Sequence, residues 1–245
     1  MTIFAKQPAT YGESRKLTGA IRDLKVTRES ASFVFMRSDQ VKMGVVAIAA
    51  AAAGLGGPAI AIASNASAVE EDADYLEFYL DDQPVKGWVW RNPPFRNGDV
   101  VDVAAQFVGD HWEAFGIARP NDRTVALYPH CSRGRIRHYL NALKWWIFGG
   151  GGFVLFAGIP LFYVIAGDRL FKHQEYFVGL FGLMLFIGVV TFSLTRQWLP
   201  FVRVAEKVFK ILELPHPSRI DLVKSSKIQR RPEDSNEFGY FYFRY

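Results

Sequence analysis

The sequence predicts an α+β membrane protein, in which a small β-barrel domain is followed by a pair of spanning helices. Three observations carry this. Two uncharged apolar runs, Trp145–Ala166 and Tyr176–Thr195, are each long enough for a bilayer core of ~30 Å, which takes about 20 residues at helical rise. Upstream of them, short β-favouring segments separated by turn residues recur from Tyr75 to Tyr128. Lys and Arg gather on the outer flanks of both apolar runs, which places both flanks on the cytoplasmic side by the positive-inside bias. Composition agrees, since 245 residues with 50% hydrophobic and 15% aromatic content leave room for one extramembrane domain beside the spans.

The chain divides into four regions. Residues 1–16 are polar, contain Pro8 and Gly12, and read as a poorly ordered N-terminus with no apolar core of signal-peptide length. Residues 17–136 form the β-barrel-like domain. Its first part, Leu17 to Phe35, supplies Ile21, Leu24, Val26, Phe33 and Phe35 as strand-type residues, with the polar TRESA between them as a turn. An apolar insertion at 43–66 follows. Its length would suit a third span, but the GLGGP at Gly54–Pro58 breaks it at the centre. Strands on both sides of it belong to one barrel and must lie on one side of a membrane, so an odd number of crossings is excluded. It reads as an Ala/Gly-rich hairpin against or into the bilayer, or on the spanning helices. A buried soluble hairpin is the alternative.

Strand segments follow at Tyr75–Leu80, Val85–Trp90, Val100–Val108, Trp112–Ala118 and Thr124–Tyr128, separated by DDQP, RNPPFRNGD, Gly109–Asp110 and RPND. This spacing suits a small sandwich or partly closed barrel. The run FRNGDVVDV resembles the glycine-turn entry to a central strand of oligonucleotide/oligosaccharide-binding barrels, a likeness of fold that carries no ligand with it. The acidic stretch Glu70, Glu71, Asp72 and Asp74 reads as a solvated loop.

Residues 137–198 form the transmembrane hairpin, with spans at 145–166 and 176–195. The basic neck before it carries Arg133, Arg135, Arg137 and Lys144, and Trp145, Trp146 and Trp198 sit at span ends. These seven are the candidate membrane-interface residues, the cations facing anionic headgroups and the indoles the headgroup layer. Gly149, Gly150, Gly158, Gly179, Gly182 and Gly188 are candidates for close helix packing. Residues 199–245 begin with an amphipathic helix, Pro200 to Leu214. Its face of Val204, Val208, Ile211 and Leu212 rests either on lipid or on the β-domain. The charged tail after Pro217 reads as mobile until EFGYFYFRY, which suits an added edge strand.

Catalytic chemistry finds little support. The sequence holds neither a nucleophile elbow nor a phosphate-binding glycine loop. His130 and Cys131 are adjacent, and neighbours on an extended chain point to opposite faces, so they make a poor nucleophile pair. His111, His130 and His138 match no zinc spacing, and one cysteine excludes an internal disulfide. Asp110, His111 and Glu113 would need a cleft to act together. No enzyme, cofactor or metal is expected. The net charge of +5 reports orientation rather than nucleic-acid binding.

The stretches LKVTRESASFVF, GLGGPAIAIAS, VKGWVWRNP, GDHWEAFGIARPNDR and ALYPHCSRGR resemble a group of bacterial membrane proteins catalogued as type VI secretion system effectors. The resemblance covers roughly Leu17 to Trp146 and, more loosely, the spans. It implies a toxin that inserts into a bacterial membrane through the Ala/Gly hairpin and the helical pair, and it brings no active residues with it. The partners it implies are the lipid bilayer, further copies of the chain, and a cognate immunity or chaperone protein. The alternative is a resident inner-membrane protein, an immunity protein or a scaffold, whose cytoplasmic β-domain binds a partner. A pore would need polar lining, which the two spans scarcely offer.

Overall fold

The computed structural model describes residues 12–31, 71–167 and 174–245. Its residues fall into two compact units, one holding the described residues up to Gly134 together with Pro200–Tyr245, the other Arg135–Leu199.

In the first unit, one long strand organises the sheet. β1 (Ser14–Ala31) pairs antiparallel with β4 (Val100–Val108) over its first part, from Ser14 opposite Gln106 to Ala20 opposite Val100. Its second part pairs with β2 (Glu71–Leu80), from Ile21 opposite Leu80 to Ala31 opposite Glu71. A register shift between Arg22 and Lys25 marks the change, where Asp23 takes φ +52° and the strand bends. β2 turns through Asp81 and Asp82 into β3 (Gln83–Val89), and β4 turns through Gly109, at φ +71°, into β5 (His111–Arg119). β3 then runs parallel to β5, from Val85 opposite Trp112 to Gly87 opposite Ala114. That contact closes a five-stranded barrel in the order β1-β2-β3-β5-β4. A Cβ on Gly87 would stand 2.5 Å from the Ala114 carbonyl oxygen, so a glycine is what lets the two backbones close. The strand order is compatible with an oligonucleotide/oligosaccharide-binding-type barrel.

The barrel interior is filled by Ile21, Leu76, Val85, Val101, Val103 and Ile117, all buried. A second apolar layer covers the outside of β5 and β6 (Thr124–Leu127). It is made by two helices of this unit, here α3 (Leu199–Ile211) and α4 (Leu222–Ile228), numbered after the two long helices of the other unit. Phe201, Val204, Ala205, Val208 and Phe209 give α3 a broad apolar stripe that packs on Phe115 and Leu127. Gly116 leaves room for Val208, whose Cγ1 would otherwise meet a Cβ at 2.6 Å. Of the two positions open to this amphipathic helix, it takes the β-domain. The aromatic C-terminus adds β7 (Tyr242–Arg244) to β6, with Val125 opposite Phe243. Arg244 is held by a buried two-point contact with Asp234 at 3.0 and 2.9 Å.

Several expectations need correction. TRESA is not a turn: Thr27–Ala31 continue β1 and pair with Tyr75–Glu71, because cross-strand partners outweigh local polarity. Glu71, Asp72 and Asp74 are not a solvated loop but part of β2. Asp74 is buried and accepts two hydrogen bonds from Arg28 and one from the Asn92 amide. Ser14–Lys16 open β1 instead of belonging to a poorly ordered N-terminus. The tail beyond Pro217 contains α4, started by Asp221, whose carboxylate accepts from the Lys224 amide. The apolar insertion at 43–66 and Phe33 and Phe35 lie outside the described residues.

Candidate functional site

The second unit is a pair of long helices, α1 (Arg135–Ile165) and α2 (Gln174–Gln197). Both are long and apolar enough to span a membrane, and only 11% and 6% of their most apolar windows are buried. A core helix of a soluble domain would be covered on most sides, and these are not. Phe148, Phe156, Val164, Phe181, Phe186 and Val189 all point outward. At 31 residues α1 is roughly 45 Å long, about 15 Å more than a bilayer core, so its basic first turns extend past the apolar part. Within the apolar part the backbone widens to π-helical hydrogen bonding at Trp145–Gly150, and again at Val154–Gly158.

The two helices meet through small residues. Gly188 lies against the Trp146 indole, where a Cβ would come within 2.9 Å of the ring nitrogen. That nitrogen donates to the Met184 carbonyl at 3.0 Å. Gly150 sits against Ile187 and Met184, Gly158 against Leu183 and Leu180, and Gly179 against Phe162. Gly149 faces only Trp145 of its own helix, while Gly182 and Gly152 open onto empty space. Four of the six candidate glycines therefore serve packing inside the hairpin. Trp146 is turned into the hairpin rather than toward a headgroup layer, whereas Trp145 and Trp198 are exposed. Arg133 is not free for lipid either, since its Nε donates to Asp221 at 3.2 Å within the β-domain. Arg135 and Lys144 are exposed and Arg137 is half-buried.

The residues with chemical potential take separate partners. His111 sits between Asp110 and Glu113, its ring nitrogens 2.7 and 3.2 Å from their carboxylates. Glu113 chiefly, then Asp110, hold its pKa above the ordinary imidazole value, while burial opposes them. Burial pushes the Glu113 carboxyl up, with His111 drawing it back. His130 meets Trp90 and Phe201 edge-on at 5.1 and 5.2 Å. The Cys131 thiol is buried, donates toward the Phe201 carbonyl at 3.4 Å, and is pushed far up by its apolar surroundings. A thiol so held is no thiolate nucleophile. His138 pairs with the Thr195 carbonyl at 3.0 Å in the hairpin. Among the described residues no group of three or more His, Cys, Asp or Glu side chains is placed to hold a metal ion.

Sequence reasoning did not find one feature of the β-domain. Trp90, His130, Cys131, one side of α4 and the aromatic segment Phe238–Phe241 enclose a cleft of about 340 Å³. Its signal in the sequence is the aromatic C-terminus, whose fold partner lies more than a hundred residues upstream. Compared with protein-family models, curated proteins and solved structures, the chain finds a match in none of the three.

Proposed function

We propose that this is a two-span bacterial inner-membrane protein whose hairpin anchors the β-domain at the cytoplasmic face, where the barrel serves as a binding module. The observation that carries the reading is the outward apolar surface of α1 and α2. Six of its large side chains, at about 1.5–3 kcal/mol each, represent on the order of 10 kcal/mol in favour of a non-aqueous surround. The basic residues in the first turns of α1 and after α2 orient both outer ends toward the cytoplasm, and with them the N- and C-termini. The helices close on one another through glycine and indole, and no charged side chain lies between Trp145 and Ala166. A single hairpin of this kind is an anchor rather than a conduit. The β-domain then carries the specificity, as a module that binds rather than catalyses, for a resident scaffold or immunity protein.

A second reading keeps the inserted hairpin and makes insertion itself the activity, as in a type VI secretion effector. The resemblance of the β-domain sequence supports it. So do Gly152 and Gly182, which leave room for the helix of a further copy.

Induced expression in a naive bacterial host, with growth and membrane potential followed together, separates the two. Stable insertion with normal growth and a C-terminal tag cleaved only in inverted vesicles supports the anchored module. Collapse of the potential that disappears on deleting residues 145–195 supports the effector. Release of the chain by alkaline carbonate overturns both.

A further inference from the structure

The cleft in the β-domain has a chemistry that narrows what it can hold. Much of its lining is aromatic: Trp90 stands edge-on to His130 and tilted 40° from Phe241 at 6.0 Å, and Phe238 and Tyr240 also line it. The rest of its lining includes α4 and the turn after it, where Val223, Ser226, Lys227 and Arg230 share one face at helical spacing. Lys227 and Arg230 are both exposed, and no carboxylate is among the residues that line the cleft. Of the nearby acids, Asp234 is paired with Arg244 and Asp221 with Arg133, while Glu237 accepts from the Asn92 amide. Among the described residues Arg230 makes one long contact, of 3.4 Å to the Ser235 carbonyl, which leaves most of its donor fork available. Two exposed cations on an aromatic-lined cavity, with no carboxylate in its lining, form a complement to a flat ring that carries an anion. At about 340 Å³ the space suits a molecule of mononucleotide size rather than a macromolecule.

We propose that this cleft binds a planar aromatic anion, its ring against Trp90, His130 and Phe241 and its phosphate or carboxylate on Lys227 and Arg230. The proposal goes beyond the anchoring reading and stands whether the hairpin is an anchor or a weapon, since every residue it uses belongs to the β-domain.

The test uses the full chain in zwitterionic lipid nanodiscs, titrated calorimetrically with AMP and with 2-naphthoate. Adenosine and 2-naphthamide are the uncharged counterparts, and ribose 5-phosphate is the ring-free one. The expected result is submillimolar binding of at least one aromatic anion, at least ten-fold tighter than its uncharged counterpart and than ribose 5-phosphate. The exposed pair Lys227→Ala and Arg230→Ala should abolish that ten-fold preference, and Trp90→Ala should weaken charged and uncharged rings alike. Ribose 5-phosphate binding as tightly as AMP would reduce the cleft to a bare anion site and overturn the proposal. Equal binding of charged and uncharged rings would overturn it too, and so would no binding of either anion below 1 mM. A single-stranded oligonucleotide bound a hundred-fold tighter than AMP would replace it with a nucleic-acid groove.

Discussion

Replacing Phe209 by Ala asks whether α3 belongs to the β-domain or to a lipid surface. Phe209 has no exposed surface and lies among Phe115, Leu127, Val208 and Leu222. Truncation there removes most of an aromatic side chain from a closed site, at a cost of about 3–5 kcal/mol. Against a total stability of about 5–15 kcal/mol that is a large share. A chain of this size loses about 2–4 °C of Tm per kcal/mol, so the melting of the β-domain should fall by roughly 6–20 °C. The assay is near-UV circular dichroism of the full chain in nanodiscs, checked by proteolysis at the β-domain turns. Lys210→Ala, on the exposed side of the same helix, should stay within about 0.5 kcal/mol. A Phe209→Ala protein melting with the parent would refute the packing, and the apolar face of α3 would then have to lie on lipid.

Gly188→Leu should loosen the hairpin by about 1–3 kcal/mol, because the new side chain meets the Trp146 indole. A Cβ at Gly182 would meet nothing within 4 Å, so Gly182→Ala should leave the hairpin unchanged, with pulse proteolysis in micelles comparing the two. Arg244→Met leaves the Asp234 carboxylate buried without its partner and should cost about 3–5 kcal/mol in urea unfolding, much of it recovered by adding Asp234→Asn. Burial alone would raise the Asp122 carboxyl, but hydrogen bonds from Arg119 and Thr124 hold its pKa at about 2. A depressed carboxylate contributes its stability above the unfolded value of 3.8 and loses it as pH falls toward 2. Asp122→Asn should therefore flatten the acid limb of stability between those values, read by denaturant midpoints against pH.

The two long apolar helices and most strands were legible because each depends on a short-range pattern. A long uncharged run such as Tyr176–Thr195 needs no tertiary partner to declare itself, and Val100–Val108 lies between turn residues that punctuate it. The amphipathic pattern of Pro200–Leu214 was equally plain, but an apolar stripe is the same whether it meets lipid or protein. Only the complementary surface of Phe115, Gly116 and Leu127 decided between them. The polarity of TRESA suggested a turn because its partners, Glu71–Tyr75, lie some forty residues away. The seven-residue α4 escaped notice since Leu222 and Ser226 are its only buried side chains, too few for a periodic stripe.

The glycines of the hairpin mark the same boundary. Their abundance announced close approach, yet whether Gly188 met its own chain or another depended on where the Trp146 ring turned. The cleft was illegible for a related reason, as Trp90, His130, Lys227 and Phe241 come together only once β7 has added to β6. The amino-acid sequence by itself determined where the chain forms long apolar helices and where it alternates as a strand. The tertiary structure decided which surfaces face each other, because packing and charge pairing depend on residues far apart in sequence whose contacts no local pattern encodes.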